Sequence, residues 1–170
     1  MKKRVKIILI VFLLVFLLIV EFFLIRLISP KEIDDVHPDF PCDEEYFNKA
    51  DVLWIIPKYK NISISQNQNW CNYILSLNKT LGLHGIYHEY NEFLTDRNQE
   101  YLQEAINEFE KCFKKKPNMF KPPQLKISED NIKLVKLNNM ELKKLINQFT
   151  HKVYHCDDTG ELKNELIEII

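Results

Sequence analysis

The chain has 170 residues, of which 23 are Lys or Arg and 24 are Asp or Glu, so its formal net charge is −1. This balance excludes a strongly basic nucleic-acid-binding protein and a highly charged disordered chain. The length excludes a large multidomain enzyme, because a typical domain takes about 100–200 residues. Residues 1–31 hold six basic and one acidic residue, whereas the other 139 hold 17 basic and 23 acidic ones. A basic, apolar N-terminus therefore precedes a mildly acidic body.

The N-terminus predicts a membrane anchor. Residues 7–20 are an unbroken apolar run, which resumes over residues 22–25 after Glu21. The stretch approaches the ~20 apolar residues that span the core of a bilayer. Four basic residues precede it, and the positive-inside rule then places the N-terminus in the cytoplasm and the body outside. We expect a single-pass protein of the cell membrane that contacts lipid through residues 7–26.

Two alternatives to an anchor are a cleaved signal peptide and a buried core helix. A signal peptide needs a small-residue cleavage site, and residues 20–31 offer none. A core helix is disfavoured because Leu and Phe cover every face of this segment. We therefore divide the chain into a basic tail (1–6), a transmembrane signal-anchor helix (7–26) and an extracytoplasmic domain (32–170).

All four cysteines follow the anchor, which fits an oxidising compartment. An even number in an exported domain permits two disulfides in three possible connectivities. Four unpaired buried thiols are the alternative, and the sequence leaves both open. The cysteines are Cys42, Cys71, Cys112 and Cys156.

Apolar periodicity predicts alternating strands and helices in the body. We expect Gly82 to end the first helix and Thr95 to cap the second. This alternation is typical of an α/β domain with mostly parallel strands, whose site lies at the strand C-termini. Only 3 residues are Gly, so glycine-rich phosphate loops are absent. The predicted strands or extended segments are 52–56, 83–90, 120–123 and 153–156, and the predicted helices are 66–81, 95–116, 128–149 in one or two pieces, and 161–170.

Ionisable residues gather at the expected strand ends. His84 and His88 are four residues apart and can meet one metal ion, although such a pair alone is more often surface or core histidine. Gly85 replaces the glutamate that the zinc-protease pattern H-E-x-x-H requires. Asp34-Asp35 alone is more often a turn or a helix cap. Together, one carboxylate and two histidines give three ligands with open positions, as in catalytic metal sites.

These motifs resemble, in order, those of the polysaccharide deacetylase family, the carbohydrate esterase-type metal-dependent deacetylases, in a small membrane-anchored branch. The resemblance covers residues 33–158, and its most specific part is the segment HGIYHEYNEF within 83–93. The other matching segments are IDDV at 33–36, FKPP at 120–123 and VYHCDD at 153–158.

The resemblance implies a role for each residue. Asp35, His84 and His88 would hold a divalent metal, with zinc as the expected ion. Asp34 would be the general base that takes a proton from metal-bound water, and His155 the general acid that protonates the departing amine. The implied fold is a distorted, trimmed (β/α) barrel. The implied reaction removes N-acyl (acetyl) groups from an amino sugar or envelope polymer.

Three departures from the family pattern leave a second function open. Lys121 replaces the arginine that orients the catalytic aspartate, and lysine does not form the same bidentate fork. Residues 29–32, where an apolar strand before Asp34 is expected, read Ser-Pro-Lys-Glu, so the first strand is expected to be short or missing. Only 31 residues separate Pro123 from His155, which predicts a shortened barrel. The alternative is an inactive relative that binds carbohydrate or metal at the cell surface, and a third possibility is a disulfide-held structural protein.

Overall fold

The structure, a computed structural model, describes residues 2–143 and 145–169. Helix α1, Lys2–Ile28, has 27 residues and is about 40 Å long at 1.5 Å per residue. Its apolar side chains are exposed around its whole circumference. By length and composition, Arg4–Ile28 is able to cross a membrane.

Short strands and helices alternate through the rest of the chain. The strands are β1 Glu32–Val36, β2 Val52–Ile55, β3 Lys58–Tyr59, β4 Ile62–Ser63, β5 Thr80–Leu83, β6 Met119–Phe120, β7 Glu141–Leu142 and β8 Val153–His155. The α-helices are α2 Glu44–Lys49, α3 Gln68–Ser76, α4 Gln99–Phe113, α5 Glu129–Leu137, α6 Leu145–Thr150 and α7 Asn164–Ile169.

Six strands form one parallel sheet in the order β7-β6-β5-β2-β1-β8. Strands β3 and β4 form a separate antiparallel hairpin. The predicted α/β class with parallel strands is confirmed. The strands of the large sheet follow the chain order of a (β/α) barrel, with β8 returning beside β1. Over the described residues β7 and β8 remain the two edge strands, as expected of a trimmed barrel.

Strand β1 corrects the expectation that the first strand is short or missing. Its five residues are all buried, and it pairs with both β2 and β8. Polar residues are tolerated here because they have charged partners: Glu32 and Asp34 both contact Lys121. Apolar patterning alone misses a strand whose polar side chains are satisfied within the core.

The boundary between α3 and β5 differs from the prediction. We predicted a helix over 66–81 and a strand from Leu83, but α3 ends at Ser76 and β5 occupies Thr80–Leu83. Asn78 takes a left-handed φ of 52°, which breaks the helix. Gly82 therefore lies inside a strand, where a Cβ would come within 2.2 Å of the Trp54 ring. Close packing on Trp54, rather than helix termination, requires the glycine.

Other element boundaries also differ from the predicted ones. Asn98, not Thr95, caps α4 by accepting from the backbone N–H of Tyr101. The predicted helical region 128–149 contains strand β7 between α5 and α6. That strand has only two residues, so it leaves almost no periodicity to detect. It adds a strand to the short region between Pro123 and His155, which we predicted to be helical.

Two disulfides resolve the open cysteine question. Cys42 pairs with Cys156 and Cys71 pairs with Cys112, and no described cysteine is free. The first bridge ties the segment after β1 to the end of β8. The second joins α3 to α4. Both disulfides link elements that pack around the sheet. The core lies on either side of strands β1, β2 and β5.

Candidate metal centre

The carboxyl ends of the parallel strands bring the predicted site residues together. Strand β1 carries Asp34 and Asp35, and the loop after β5 carries His84 and His88. Strand β8 ends on His155, which is paired in register with Asp34. The sheet order places β1 between β2 and β8, so residues far apart in sequence meet at one edge.

Asp35, His84 and His88 form a compact three-ligand cluster, with their ligand atoms within 4.8 Å of one another. Asp35 Oδ1 lies 2.8 Å from His88 Nε2 and 3.4 Å from His84 Nε2. Asp35 and His84 are both buried, whereas His88 is partly exposed. Asp35 has a left-handed φ of 62°, uncommon for a residue other than glycine, at an irregularity in the β1–β2 pairing. The cluster is thus open on the side of His88.

Two further contacts orient these ligands. Thr159 Oγ1 donates to Asp35 Oδ2 at 2.6 Å, which leaves Oδ1 directed at the histidines. His84 Nδ1 lies 2.9 Å from the carbonyl oxygen of Lys121 and must donate to it. In the neutral imidazole this leaves Nε2 unprotonated, the form that binds metal ions.

The donor set fits a divalent cation. Asp35 Oδ1 is buried, and although both imidazoles approach it, no hydrogen bond of proper direction reaches it. Burial opposes ionisation of Asp35, but His84 and His88 outweigh it and hold the pKa of the carboxyl well below its usual value. For His84, burial lowers the pKa, but the carboxylates of Asp35 and Asp34 outweigh it and raise the pKa overall. One carboxylate and two imidazoles suit zinc, iron, manganese or nickel.

Glu92 organises the loop that carries His88. Its carboxylate accepts from the backbone N–H groups of Ile86, Tyr87 and His88 at 2.9–3.1 Å. The Tyr101 hydroxyl also donates to it, at 2.9 Å. Glu92 therefore supports the segment that leads to His88 from within the fold. Burial first, and then the charge of Glu92, raise the pKa of Tyr101 beyond its usual range.

Gly85 allows this loop to close over Glu92. Its φ is +65°, and a Cβ there would lie 2.5 Å from Glu92 Oε2 and 2.6 Å from Pro123 Cγ. Any side chain would therefore displace both the carboxylate and the proline of the neighbouring loop. The residue that excluded the zinc-protease pattern is the one that the loop geometry requires.

Asp34 lies between a buried lysine and a histidine. Lys121 Nζ is 2.8 Å from Asp34 Oδ1, and His155 Nε2 is 3.7 Å from Asp34 Oδ2. Lys121 is fully buried. Its burial lowers its pKa, but the charges of Asp34 and Glu32 outweigh that effect and raise the pKa overall. Lys121 therefore makes one contact with Asp34 and a second with Glu32, at 3.0 Å.

Glu32 is a buried residue of this site that the sequence analysis missed. It accepts from Lys121 Nζ at 3.0 Å and from Trp54 Nε1 at 2.8 Å, and it contacts His151 Nδ1 at 2.5 Å. Its two-residue spacing from Asp34 puts both side chains on one face of β1, which was the available signal. Thr159 was missed as well, because nothing local to the DDTG segment indicates contact with Asp35.

The structure thus brings Asp34, Asp35, His84, His88 and His155 to one site. His37 lies outside the cluster, against Phe40 and Tyr59. His151 contacts Glu32, so it belongs to the charged group behind the site. Trp70 is partly buried and packs against Phe113 at the border of the core.

Three crystal structures of one protein share features of this fold. The wild-type CE4 family pseudoenzyme BA3943 from Bacillus anthracis has a TM-score of 0.47 at 13% identity, over 75% of this chain and 59% of that one. A mutant of that protein has a TM-score of 0.43 at 16% identity, over 54% of this chain and 32% of the mutant. A mutant with restored enzymatic activity has a TM-score of 0.44 at 15% identity, over 68% of this chain and 48% of the mutant. CE4 is the polysaccharide deacetylase family.

The chain spans about a third to three-fifths of the length of these proteins. No protein-family model and no curated protein matches its sequence.

Proposed function

We propose that the protein is a membrane-anchored, metal-dependent hydrolase that removes N-acyl groups from an amino sugar or an envelope polymer. The convergence of Asp35, His84 and His88 on one point carries this proposal. Asp34 and His155 flank that point from two adjacent strands. Three ligands with open positions, beside a carboxylate and an imidazole, are what hydrolysis of an amide at a metal site requires.

Asp35, His84 and His88 would hold the ion, and a divalent ion held there would supply Lewis-acid polarisation of the acyl carbonyl. Asp34 accepts a proton from the attacking water, because its Oδ2 faces the site while Oδ1 is engaged by Lys121. His155 donates a proton to the departing nitrogen. The products are a free amine and a carboxylic acid, so atoms and charge balance.

The orientation of the molecule is part of the proposal. Helix α1 would cross the cell membrane, with the basic N-terminal tail in the cytoplasm and the body outside. An extracytoplasmic site would meet envelope or extracellular polymers. The two disulfides suit this side of the membrane, since oxidising compartments preserve them.

Metal content and turnover of the full chain in detergent test the function. We expect one equivalent of metal in the parent and in Asp34→Asn, and none in Asp35→Asn or His88→Gln. His37→Gln removes a histidine outside the cluster and is the matched control. Release of free amine from N-acetylated oligosaccharides should occur in the parent and be lost in Asp34→Asn. Equal metal content in the parent and Asp35→Asn would refute the metal site.

A specific observation favours a second function, binding of metal or carbohydrate without turnover. His155 Nδ1 is buried and has no hydrogen-bond partner among the described residues, so nothing fixes the tautomer of the proposed acid. Lys121 also provides one contact where a fork is expected. One equivalent of metal, with no amine released from any N-acyl substrate, would support this second function.

A further inference from the structure

The edge of the sheet opposite the metal centre is basic. In a parallel sheet every strand begins at the same edge, so the segments that lead into the six strands lie together there. Apart from His151, these segments contain six basic residues and one acidic residue. We call this the lysine edge; its basic residues are Lys31, Lys79, Lys114, Lys115, Lys116 and Lys152, and its acidic residue is Asp51.

The lysine edge lies next to the end of α1. Helix α1 ends at Ile28 and β1 begins at Glu32, a gap that the chain spans with at most about 14 Å. Arg26 is buried, and its guanidinium donates to the carbonyls of Phe149 and His151, the latter just before β8. The last turn of the anchor is therefore docked on the body at the side where the strands begin.

Three of these lysines share one shallow depression with two asparagines. Lys79, Lys115 and Lys116 line it, and no carboxylate does. Lys115 and Lys116 are exposed, and no carboxylate pairs with either among the residues that the structure describes. Lys79 Nζ donates to the carbonyl of Asn48 at 2.9 Å. Asp51, the acidic residue of the edge, does not line the depression, and its carboxylate accepts from the backbone N–H of Lys31.

We propose that the lysine edge binds the anionic headgroups of the bilayer that holds α1. This inference rests on the membrane anchor of the proposed function, and not on metal binding or hydrolysis. The body carries a net charge of −6, from 17 basic and 23 acidic residues, so an anionic surface repels the body as a whole, whereas the lysine edge is attracted to it. Lysines held near anionic lipid attract it within a Debye length of the surface.

The choice of lipid over a dissolved polyanion follows from connectivity. The anchor keeps the edge beside the headgroups, which gives them a high effective concentration. The orientation has a consequence for the site: Asp35 follows Lys31 by four residues along β1, so the metal centre lies about 13 Å from the lysine edge, on the side away from the bilayer. The substrate would then be taken from the aqueous side, rather than from the membrane surface.

A different reason for the lysines is the helix dipole. The helices end at the same edge, and cations are favourable near helix C-termini. Lys114, the C-cap of α4, fits that explanation. If the lysines only stabilise the helix dipoles, their reactivity does not depend on the charge of the lipid. If they bind headgroups, their reactivity must depend on it.

Amine labelling of the full chain in lipid nanodiscs tests the inference. Discs of phosphatidylcholine are compared with discs that also contain phosphatidylglycerol, and labelling rates are read by mass spectrometry. We expect Lys115 and Lys116 to react severalfold more slowly in the anionic discs, and high salt to remove the difference. Lys60, exposed in the β3–β4 hairpin beyond the other end of β2, is the control and should not change.

The double variant Lys115→Glu/Lys116→Glu should lose the lipid-dependent protection of Lys79. Equal labelling in both discs, from a chain shown to float with the lipid, would overturn the inference. Protection by dissolved polyphosphate but not by phosphatidylglycerol would also overturn it, in favour of a soluble polyanion. A chain that does not insert into discs would refute the membrane anchor. Metal content and turnover test the metal site and the hydrolysis independently of that result.

Discussion

Asp35 combines an unfavourable backbone with a demanding side-chain environment. A non-glycine residue at φ 62° costs on the order of 1–3 kcal/mol and persists only where its surroundings fix it. The Thr159 hydroxyl holds one carboxylate oxygen, and two imidazoles face the other. The strain lies at the proposed ligand, where it turns the carboxylate toward the histidines.

Removal of the Thr159 hydroxyl should weaken metal binding while leaving all three ligands in place. We expect Thr159→Val to lower metal affinity by about 10–100-fold, the usual effect of losing a contact that orients a ligand. Titration calorimetry of the full chain measures it. Thr95→Val, at an exposed threonine away from the site, is the control. Equal affinities for both variants would show that Thr159 does not orient Asp35.

Glu32 should make the stability of the fold depend on acid. Burial raises its pKa, but His151 and Lys121 outweigh it and lower the pKa to about 2. Because the pKa is depressed in the folded state, the stabilisation is complete above the ordinary value of about 4.5 and is lost as the pH falls toward 2. Its size is on the order of 3 kcal/mol.

The check is urea unfolding of the parent and of Glu32→Gln in detergent between pH 6 and pH 2.5. The parent should lose more stability across this range than Glu32→Gln, which has no carboxylate to protonate. Glu100→Gln, at an exposed glutamate on α4, is the matched control and should follow the parent. Parallel curves for the parent and Glu32→Gln would contradict the assigned pKa.

The sequence predicted which residues form the site, but only some of the contacts between them. Asp34, Asp35, His84, His88 and His155 stand out because few residue types bind metals or move protons. The contact of Lys121 with Asp34 was expected only from the family resemblance. Glu32 and Thr159 were not foreseen, because their partners lie 89 and 124 residues away in the chain.

At the scale of elements, the α3–β5 boundary shows how packing overrides periodicity. Leu77 and Leu81 are four residues apart, which suits a helix. Yet Leu81 and Leu83 are buried in β5, beside β2. Pairing with β2 favours the strand over the helix, since it buries Leu81 and Leu83 and satisfies their backbone groups.

Gly82→Ala tests the contact between strands β5 and β2, where Gly82 packs on Trp54. The added Cβ would lie 2.2 Å from the Trp54 ring, which is itself buried. We expect destabilisation of about 1–3 kcal/mol, the usual cost of overpacking, as measured by chemical denaturation. Thr80→Ala, exposed on the same strand, is the control and should cost less. An unchanged stability would mean that Trp54 moves aside freely.

At the scale of the whole molecule, the two disulfides close loops of different length. Cys42 and Cys156 are separated by 114 residues, and Cys71 and Cys112 by 41. The longer loop restricts the unfolded chain more. The loop-entropy relation gives a difference of about 1 kcal/mol between them.

Cys42→Ser/Cys156→Ser should therefore destabilise the fold more than Cys71→Ser/Cys112→Ser. Denaturant midpoints of the two full-length variants in detergent measure the order. The first variant should also loosen His155, because Cys156 follows it directly. The reverse order would show that native-state packing around α3 and α4 outweighs the entropy of the unfolded chain.

The proposed topology makes a separate prediction. Alkaline phosphatase fused after the last residue should be active, because it needs disulfides that form only outside the cytoplasm. Replacement of the four basic residues before the anchor by glutamine should reduce that activity, since they retain the N-terminus inside. An inactive fusion, made in normal amounts, would place the body in the cytoplasm.

By itself, the sequence determined the apolar N-terminal segment, the alternation of strands and helices, and the five ionisable residues of the site. These follow from local composition and spacing, which act within a few residues. Only the tertiary structure decided the polar but buried strand β1, the disulfide pairing, the charged group of Glu32 and Lys121, and the gathering of lysines at one edge. Each of these depends on contacts between segments distant in sequence, where burial and charge are balanced only after the parallel sheet has formed.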